Sequence, residues 1–249
     1  MDICAITAFD RPEFLMLCLE RAFAAAAVPP VWVFLDRGGA KEETRAVCAH
    51  YPVTLFVSPA HPYHGNSFNA LEALRAAHAA GAERVFLVED DVMVGADFFD
   101  WHRRALEQNP AAFCSIASPR RAGAAAADGE AHAGEYCSVG VCLPRASVEK
   151  ILPHATPAYY RNMVGYCERT FPASGLLRWQ AEQDGLIHRI LRTEGSFSVW
   201  AAPPRAWHAG FYGYHRRNGR PVGTLAERIE QVRVQLANPP VAPDVDSVN

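Results

Sequence analysis

Nowhere in these 249 residues does an apolar run approach the roughly 20 residues that a membrane-spanning helix needs. A charged-then-apolar leader is missing too, because the first apolar run, 3–9, is short and is broken by Asp10-Arg11-Pro12. The seven cysteines form no CxxC pair; they are odd in number and scattered, which suits reduced thiols packed as small apolar groups. There is no polybasic excess either. A formal net charge of -3 speaks against strong nonspecific attraction to nucleic acid or anionic membrane, though a local basic patch stays open. No internal repeat emerges. Taken together, these absences point to a cytoplasmic protein without a membrane span.

What is present begins as an alternation. Residues 2–9 read as a short β-rich segment, and behind Pro12 the apolar positions Phe14, Leu15, Leu17, Cys18, Leu19 and Phe23 carry helical spacing. Residues 31–36 form a second buried strand, and Arg37-Gly38-Gly39 turns the chain into a helix around 40–50. A third strand at 53–57 leads through the loop 59–65 to an Asn66-Ser67 start for a helix at 67–80. Strand and helix thus alternate three times, the pattern of an α/β fold with a mostly parallel, Rossmann-like sheet flanked by helices. The length allows one large domain, expected over 1–237, with a disordered Pro-rich tail at 238–249.

The fourth strand organises the rest. Val85-Phe86-Leu87-Val88 reads as buried on both faces, and Glu89-Asp90-Asp91 follow at once. The carboxylates therefore sit at the C-terminal edge of a sheet, where α/β folds bind ligands, and they repel each other unless a hard divalent cation neutralises them. A solvated acidic turn is the plain alternative. Asp10 and Arg11 end the first strand at that same edge, facing a nucleotide, unless Asp10 only caps the next helix. Asp36 ends the second strand, either accepting hydrogen bonds from a base or ribose or capping its own turn. His61 and His64 lack a carboxylate at local spacing and read as loop residues.

Further along, 97–108 suits a helix and 112–117 a fifth strand, whereas 118–134 has no apolar period and is expected to be a mobile loop. A strand at 137–143 and a helix at 145–152 follow. Residues 179–187 open another helix with Glu182 and Asp184 in its polar start, acids that either serve chemistry or merely complement the helix dipole. Histidine, aromatics and glycines crowd 207–215, a composition that fits neither core nor plain turn, and the loop 203–217 is expected to move. A last amphipathic helix lies at 222–236.

With these pieces in order, the chain resembles the GT-A glycosyltransferases, and most closely the N-acetylglucosaminyltransferase I type. The resemblance is carried by VFLVEDDVMVGADFFDWHRRAL (85–106), with ITAFDRPEFLMLCL (6–19), FLDRGG (34–39) and GNSFNALEAL (65–74) in the expected order. It covers about two thirds of the chain; the C-terminal third matches only in the placing of Asp184 and His208. It implies a nucleotide-sugar half at 1–110 and an acceptor and catalytic half at 111–237. Asp91 would ligate Mn²⁺ or Mg²⁺, and Glu89 and Asp90 would face ribose and sugar. Arg11 and Asp36 would contact the uracil end of a UDP-sugar, UDP-Glc or UDP-GlcNAc, with Thr7 and Phe9 beside them. Asn66 stands where the family has a basic or histidine nucleotide contact.

The chemistry follows without the family name. A departing nucleoside diphosphate gathers negative charge and needs a cation, held by Asp91 with His208 as second ligand; an imidazole favours Mn²⁺ over Mg²⁺. His208 has competitors for its role in packing with Trp207, Phe211 and Tyr212 and in the neighbouring His215. The acceptor hydroxyl is a weak nucleophile, so a carboxylate must take its proton opposite the leaving group, giving inversion; Asp184 is the candidate base and Glu182 the reserve. A nucleotidyltransferase acting on a sugar phosphate would use the same edge, but Thr7-Ala8-Phe9-Asp10-Arg11 contains no glycine for a phosphate loop. A non-catalytic nucleotide-sugar binding module would have no need of Asp184. The acceptor stays open between a glycan, a small molecule, a protein and a hydroxylated nucleobase in DNA, as does the oligomeric state.

Overall fold

The computed structural model describes residues 1–58, 62–63, 65–118, 127–210, 212–213, 216–217 and 219–237. His61, His64, His215 and the tail 238–249 lie outside the described residues. The first half runs β1 (Asp2–Ala8), α1 (Pro12–Ala24), β2 (Val31–Leu35), α2 (Lys41–Cys48), β3 (Val53–Val57), α3 (Asn66–Ala79), β4 (Arg84–Glu89), β5 (Val92–Val94) and α4 (Phe98–Gln108). Then come β6 (Cys114–Ile116), β7 (Glu130–Ala133), β8 (Val141–Pro144), α5 (Arg145–Ile151), α6 (Pro157–Arg161), α7 (Met163–Thr170) and α8 (Gln183–Thr193). The chain closes with β9 (Phe197–Trp200), β10 (Ala206–His208), the short ribbon β11 (Tyr212–Gly213) and β12 (Arg216–Arg217), and α9 (Leu225–Ala237).

Eight strands form one mostly parallel sheet in the order β3-β2-β1-β4-β8-β6-β9-β7. β8 and β7 are the antiparallel members. Alternation along the central strands assigns each side chain to a layer. In β1 and β4, Cys4, Ile6, Phe86 and Val88 pack toward α1, α2, α4 and α9, while Ile3, Ala5, Val85 and Leu87 pack toward α3, α5 and α8. This double burial is why these strands read as unbroken apolar runs. Chain direction matters for function: from β1 the chain moves outward to β2 and β3, then returns to place β4 on the other side of β1. The crevice beyond the C-terminal ends of β1 and β4 is therefore the topological switch point, where open sheets bind ligands. Their register pairs Thr7 with Glu89, so the residues after both strands emerge level.

The expectations for 118–134 and for 137–143 need correction. Residues 118–134 are not one mobile loop, because 130–133 form the edge strand β7, paired with β9 and with the His132 ring stacked on Trp200 at 4.2 Å. Its partner lies more than 60 residues downstream, so nothing local announces it. Within the loop 203–217, of which 211, 214 and 215 lie outside the described residues, 206–208 form a strand. β10 pairs with β5, and Arg205 bonds Asp97 at 3.1 Å and Asp128 at 2.8 Å, with Trp101 Nε1 also donating to Asp128 at 2.9 Å. The strand expected at 137–143 is confined to 141–144, since the chain turns at Gly140. All seven cysteines are buried free thiols, and no helix among the described residues is long and apolar enough to cross a membrane.

His102 on α4 is fully buried between the Phe86, Phe98 and Trp101 rings, with Nδ1 2.7 Å from Ser115 Oγ. Burial pushes its pKa down to about 3, with the Gly140 backbone opposing. The folded histidine stays neutral while the unfolded one takes a proton below its ordinary pKa of ~6.5. Stability should thus fall as pH drops from about 6.5 toward 3, by about 1.4 kcal/mol per unit from this group. His102→Asn removes the titration, so the stability gap between wild type and variant should narrow about tenfold in unfolding constant per pH unit across that window. Denaturant melts giving a pH-independent gap would exclude His102 as the source.

Candidate active site

β4 delivers three consecutive carboxylates to the switch point, and burial there is severe: the Asp90 side chain is 2% exposed and Asp91 0%. Like charges in that position are tolerated only where the fold supplies opposite charge and donors. β1 supplies most of them. The Phe9 amide donates to Asp90 Oδ2 at 3.2 Å, and Arg11 extends its fork to Asp90 Oδ1 and Asp91 Oδ2, each at 2.5 Å. The Thr7 carbonyl accepts from the Asp90 amide at 2.9 Å, fixing the acidic turn against β1.

His208 arrives from the opposite direction. β10 pairs with β5 so that His208 lies across from Val92, and the Ala209 amide donates to the Asp91 carbonyl at 2.7 Å. The imidazole Nε2 is then 3.1 Å from Asp91 Oδ2 and 4.0 Å from Glu89 Oε2. Asn66 at the start of α3 donates to Glu89 Oε1 at 3.0 Å.

The electrostatics divide the triplet. Burial raises the Asp90 carboxyl to about 7, against the pull of Arg11. Burial also raises Glu89, with the charges of Asp91 and Asp184 adding to it and His208 and Asn66 opposing. Burial acts the same way on Asp91, but the hydrogen bond and charge of His208, together with Arg11, overcome it and hold this carboxyl below its ordinary value. Asp91 is thus the acid most firmly kept as a carboxylate.

Asp184 belongs to the same neighbourhood. It sits in the first turn of α8, accepts a 2.7 Å hydrogen bond from Ser138 Oγ, and its charge reaches Glu89 and the buried Tyr136 hydroxyl. Glu182 occupies the position just before α8, a third exposed and 3.5 Å from Arg178, and is turned away toward that partner. Asp36 has both oxygens engaged by backbone, accepting from the Arg37 amide at 2.7 Å and the Gly65 amide at 2.8 Å, so it ties the turn after β2 to the start of α3. Phe9 is an exposed ring at the same edge. Asp10 does not cap α1; its side chain pairs with Arg220.

Ser138, Tyr136 and Gly210 were missed by sequence reasoning. The first two carry no motif and reach the site through the turn before β8. Gly210 had a signal in its aromatic, glycine-rich loop. A β-carbon there would lie 2.0 Å from Asp91 Oδ2 and 3.2 Å from Arg11 NH1, so only glycine lets this backbone close on the acids. Gly210→Ala should accordingly displace the 208–210 segment, weakening any ligand held by His208 and Asp91 and costing about 1–3 kcal/mol of stability. Unchanged melting and ligand affinity would show that the segment relaxes freely.

Glu89, Asp91 and His208 bring ligand atoms within 4.8 Å of one another. Two carboxylates and an imidazole suit a divalent transition metal better than an alkaline-earth ion. Asp91 Oδ1 is moreover buried with no hydrogen-bond partner among the described residues. The donor set therefore fits a bound divalent cation.

No family model matches the sequence, and no curated protein sequence matches it. The fold, however, is that of the GT-A glycosyltransferases. The S. aureus TarS 1-349 structure in complex with UDP-GlcNAc superposes with a TM-score of 0.55 at 13% identity, covering 96% of this chain and 67% of that one. Galactosyltransferase LgtC, in complex with donor and acceptor sugar analogs, gives 0.54 at 13% identity and covers 98% of both chains. The mannosyltransferase PcManGT from Pyrobaculum calidifontis, in complex with GDP-Man and Mn²⁺, gives 0.51 at 14% identity over 82% of this chain and 57% of that one. A second TarS 1-349 structure is spanned over only 59% of its length.

Proposed function

We propose that the chain is a metal-dependent glycosyltransferase that moves a sugar from a nucleoside diphosphate sugar, UDP-linked, to a hydroxyl acceptor with inversion. One observation carries the proposal. At the switch point of a GT-A fold, the clustered donors of Glu89, Asp91 and His208 lie beside a separate carboxylate, Asp184, held by Ser138. Asp91 and His208 would hold Mn²⁺ or Mg²⁺, with Glu89 beside them, and the ion would supply Lewis-acid stabilisation of the departing diphosphate. The resemblance assigns Glu89 and Asp90 to sugar and ribose and Thr7, Phe9, Asp36 and Asn66 to the nucleotide; in the structure, Asp90 and Asp36 spend their oxygens on protein donors. Asp184 takes the acceptor proton, and the Ser138 hydroxyl holds the carboxylate in one orientation. The charge of Asp184 bears on Glu89, which supports an acceptor lying between this base and the donor edge.

The motif segments support the N-acetylglucosaminyltransferase I type as the nearer relationship and UDP-GlcNAc or UDP-Glc as donor. Seven buried free thiols support a reducing, cytoplasmic setting. The loop after β1 offers no glycine-rich phosphate cradle for nucleotidyl transfer. The test is a hydrolysis screen of nucleotide sugars with Mn²⁺ present, because slow donor hydrolysis requires no knowledge of the acceptor. Release of UDP from a UDP-sugar, dependent on the metal, is the expected result. Hydrolysis of none of the nucleotide sugars, together with no metal-dependent UDP binding, would refute the proposal.

A further inference from the structure

Arg11 occupies the centre of the acidic cluster. Its planar fork bonds Asp91 Oδ2 through NH1 and Asp90 Oδ1 through NH2, both at 2.5 Å, an arrangement that a lysine cannot reproduce. The oxygen bonded by NH1 is the one that faces His208 Nε2 at 3.1 Å. Gly210 backs the same place, since a β-carbon there would reach both Asp91 Oδ2 and Arg11 NH1. Asp91 Oδ2 is thus enclosed by guanidinium, imidazole and backbone. The Arg11 side chain itself is 19% exposed, so this fork has a path outward that the buried aspartates lack.

Asp91 Oδ2 is the oxygen that faces His208, so an ion held by both residues would take it, and a guanidinium and a divalent ion cannot crowd that one oxygen without strong mutual repulsion. A diphosphate, in contrast, is a strong bidentate acceptor for arginine. We infer that Arg11 is the resident counter-cation of the acidic site, displaced when a divalent ion binds, and that a nucleoside diphosphate promotes the exchange by giving the guanidinium new oxygens to bond. The inference rests on the reading of the site as a metal and nucleotide-sugar centre and adds its regulation. Without nucleotide, the internal cation keeps Asp90 and Asp91 paired and the ion out. With nucleotide, the fork moves to phosphate and the ion enters. Ion and nucleotide are coupled, and coupling of binding is reciprocal.

The test reads Mn²⁺ binding to the whole chain, from the electron paramagnetic resonance of the free ion, with and without UDP and without turnover. In wild type, saturating UDP should strengthen Mn²⁺ binding at least ~10-fold. Arg11→Met should bind Mn²⁺ alone about tenfold or more tighter than wild type, with a smaller further gain from UDP. Its melting temperature should also rise more on adding Mn²⁺ alone, because the unpaired acids gain a cation. Arg11→Lys keeps the charge without the fork and should fall between; it carries the test if the methionine variant does not fold. Variants that bind Mn²⁺ alone no tighter than wild type, while wild type binds it with UDP, would overturn the exchange and leave the proposed function standing. Failure of all three proteins to bind Mn²⁺, with or without UDP, would remove both.

Discussion

Asp91→Asn is expected to abolish Mn²⁺-dependent UDP binding. Asp91 is the fully buried acid of the triplet and the one held below its ordinary pKa, so it meets a cation as a carboxylate. A unit charge in contact with a divalent ion, even at an effective dielectric near 20, contributes well over the ~2.7 kcal/mol that corresponds to 100-fold in affinity. The amide keeps the volume and one accepting oxygen, and Arg11 retains its 2.5 Å partner in Asp90. No stranded guanidinium is left, so the melting temperature should move by only a few degrees. Calorimetry is the check. Undiminished Mn²⁺-dependent UDP affinity in the variant would take Asp91 out of the site.

The parts of the fold visible in the sequence are those whose cause is local. β1, β2 and β4 are largely buried on both faces, so each reads as an apolar run, β3 at the sheet's edge is half-buried but keeps a β-branched and aromatic pattern, and the helices between them carry their own spacing. The acids at the end of β4 were legible for the same reason: a buried strand ending in three carboxylates leaves little doubt about which edge they occupy. What escaped depends on distant partners. β7 needs β9, and β10 needs β5, more than 110 residues away. His208 was singled out by the composition of its loop and by the resemblance, yet its position beside Asp91 is set by that remote pairing. Arg11 shows a different gap. Its place at the edge was readable, but its orientation depends on Asp90, Asp91 and Gly210, which lie far from it in sequence, and the guanidinium turns to the acids. Asp36 illustrates the reverse case: the plain capping alternative describes where both its oxygens go.

The second large effect concerns the acceptor half. Asp184→Asn should lower transfer by ~10²–10⁴-fold while donor and metal affinities stay nearly intact, since the amide keeps the side chain's size and deletes only proton acceptance. The structure adds a control that separates chemistry from positioning. Ser138 Oγ donates to Asp184 Oδ2 at 2.7 Å, so Ser138→Ala removes that orienting bond while keeping the carboxylate, and should cost far less than the loss of the base itself. Removing the negative charge has a further signature. Asp184 is among the groups that raise Glu89, so the asparagine variant should also lower the Glu89 carboxyl. Glu182 is turned toward Arg178 at the helix start, and Glu182→Gln should leave turnover within a few-fold of wild type. Steady-state transfer to whichever acceptor the donor screen brings to light decides the matter. Full activity in Asp184→Asn, or a collapse confined to Glu182→Gln, would move the base away from Asp184. Intact metal-dependent UDP binding with no transfer or hydrolysis in wild type would instead favour a binding module.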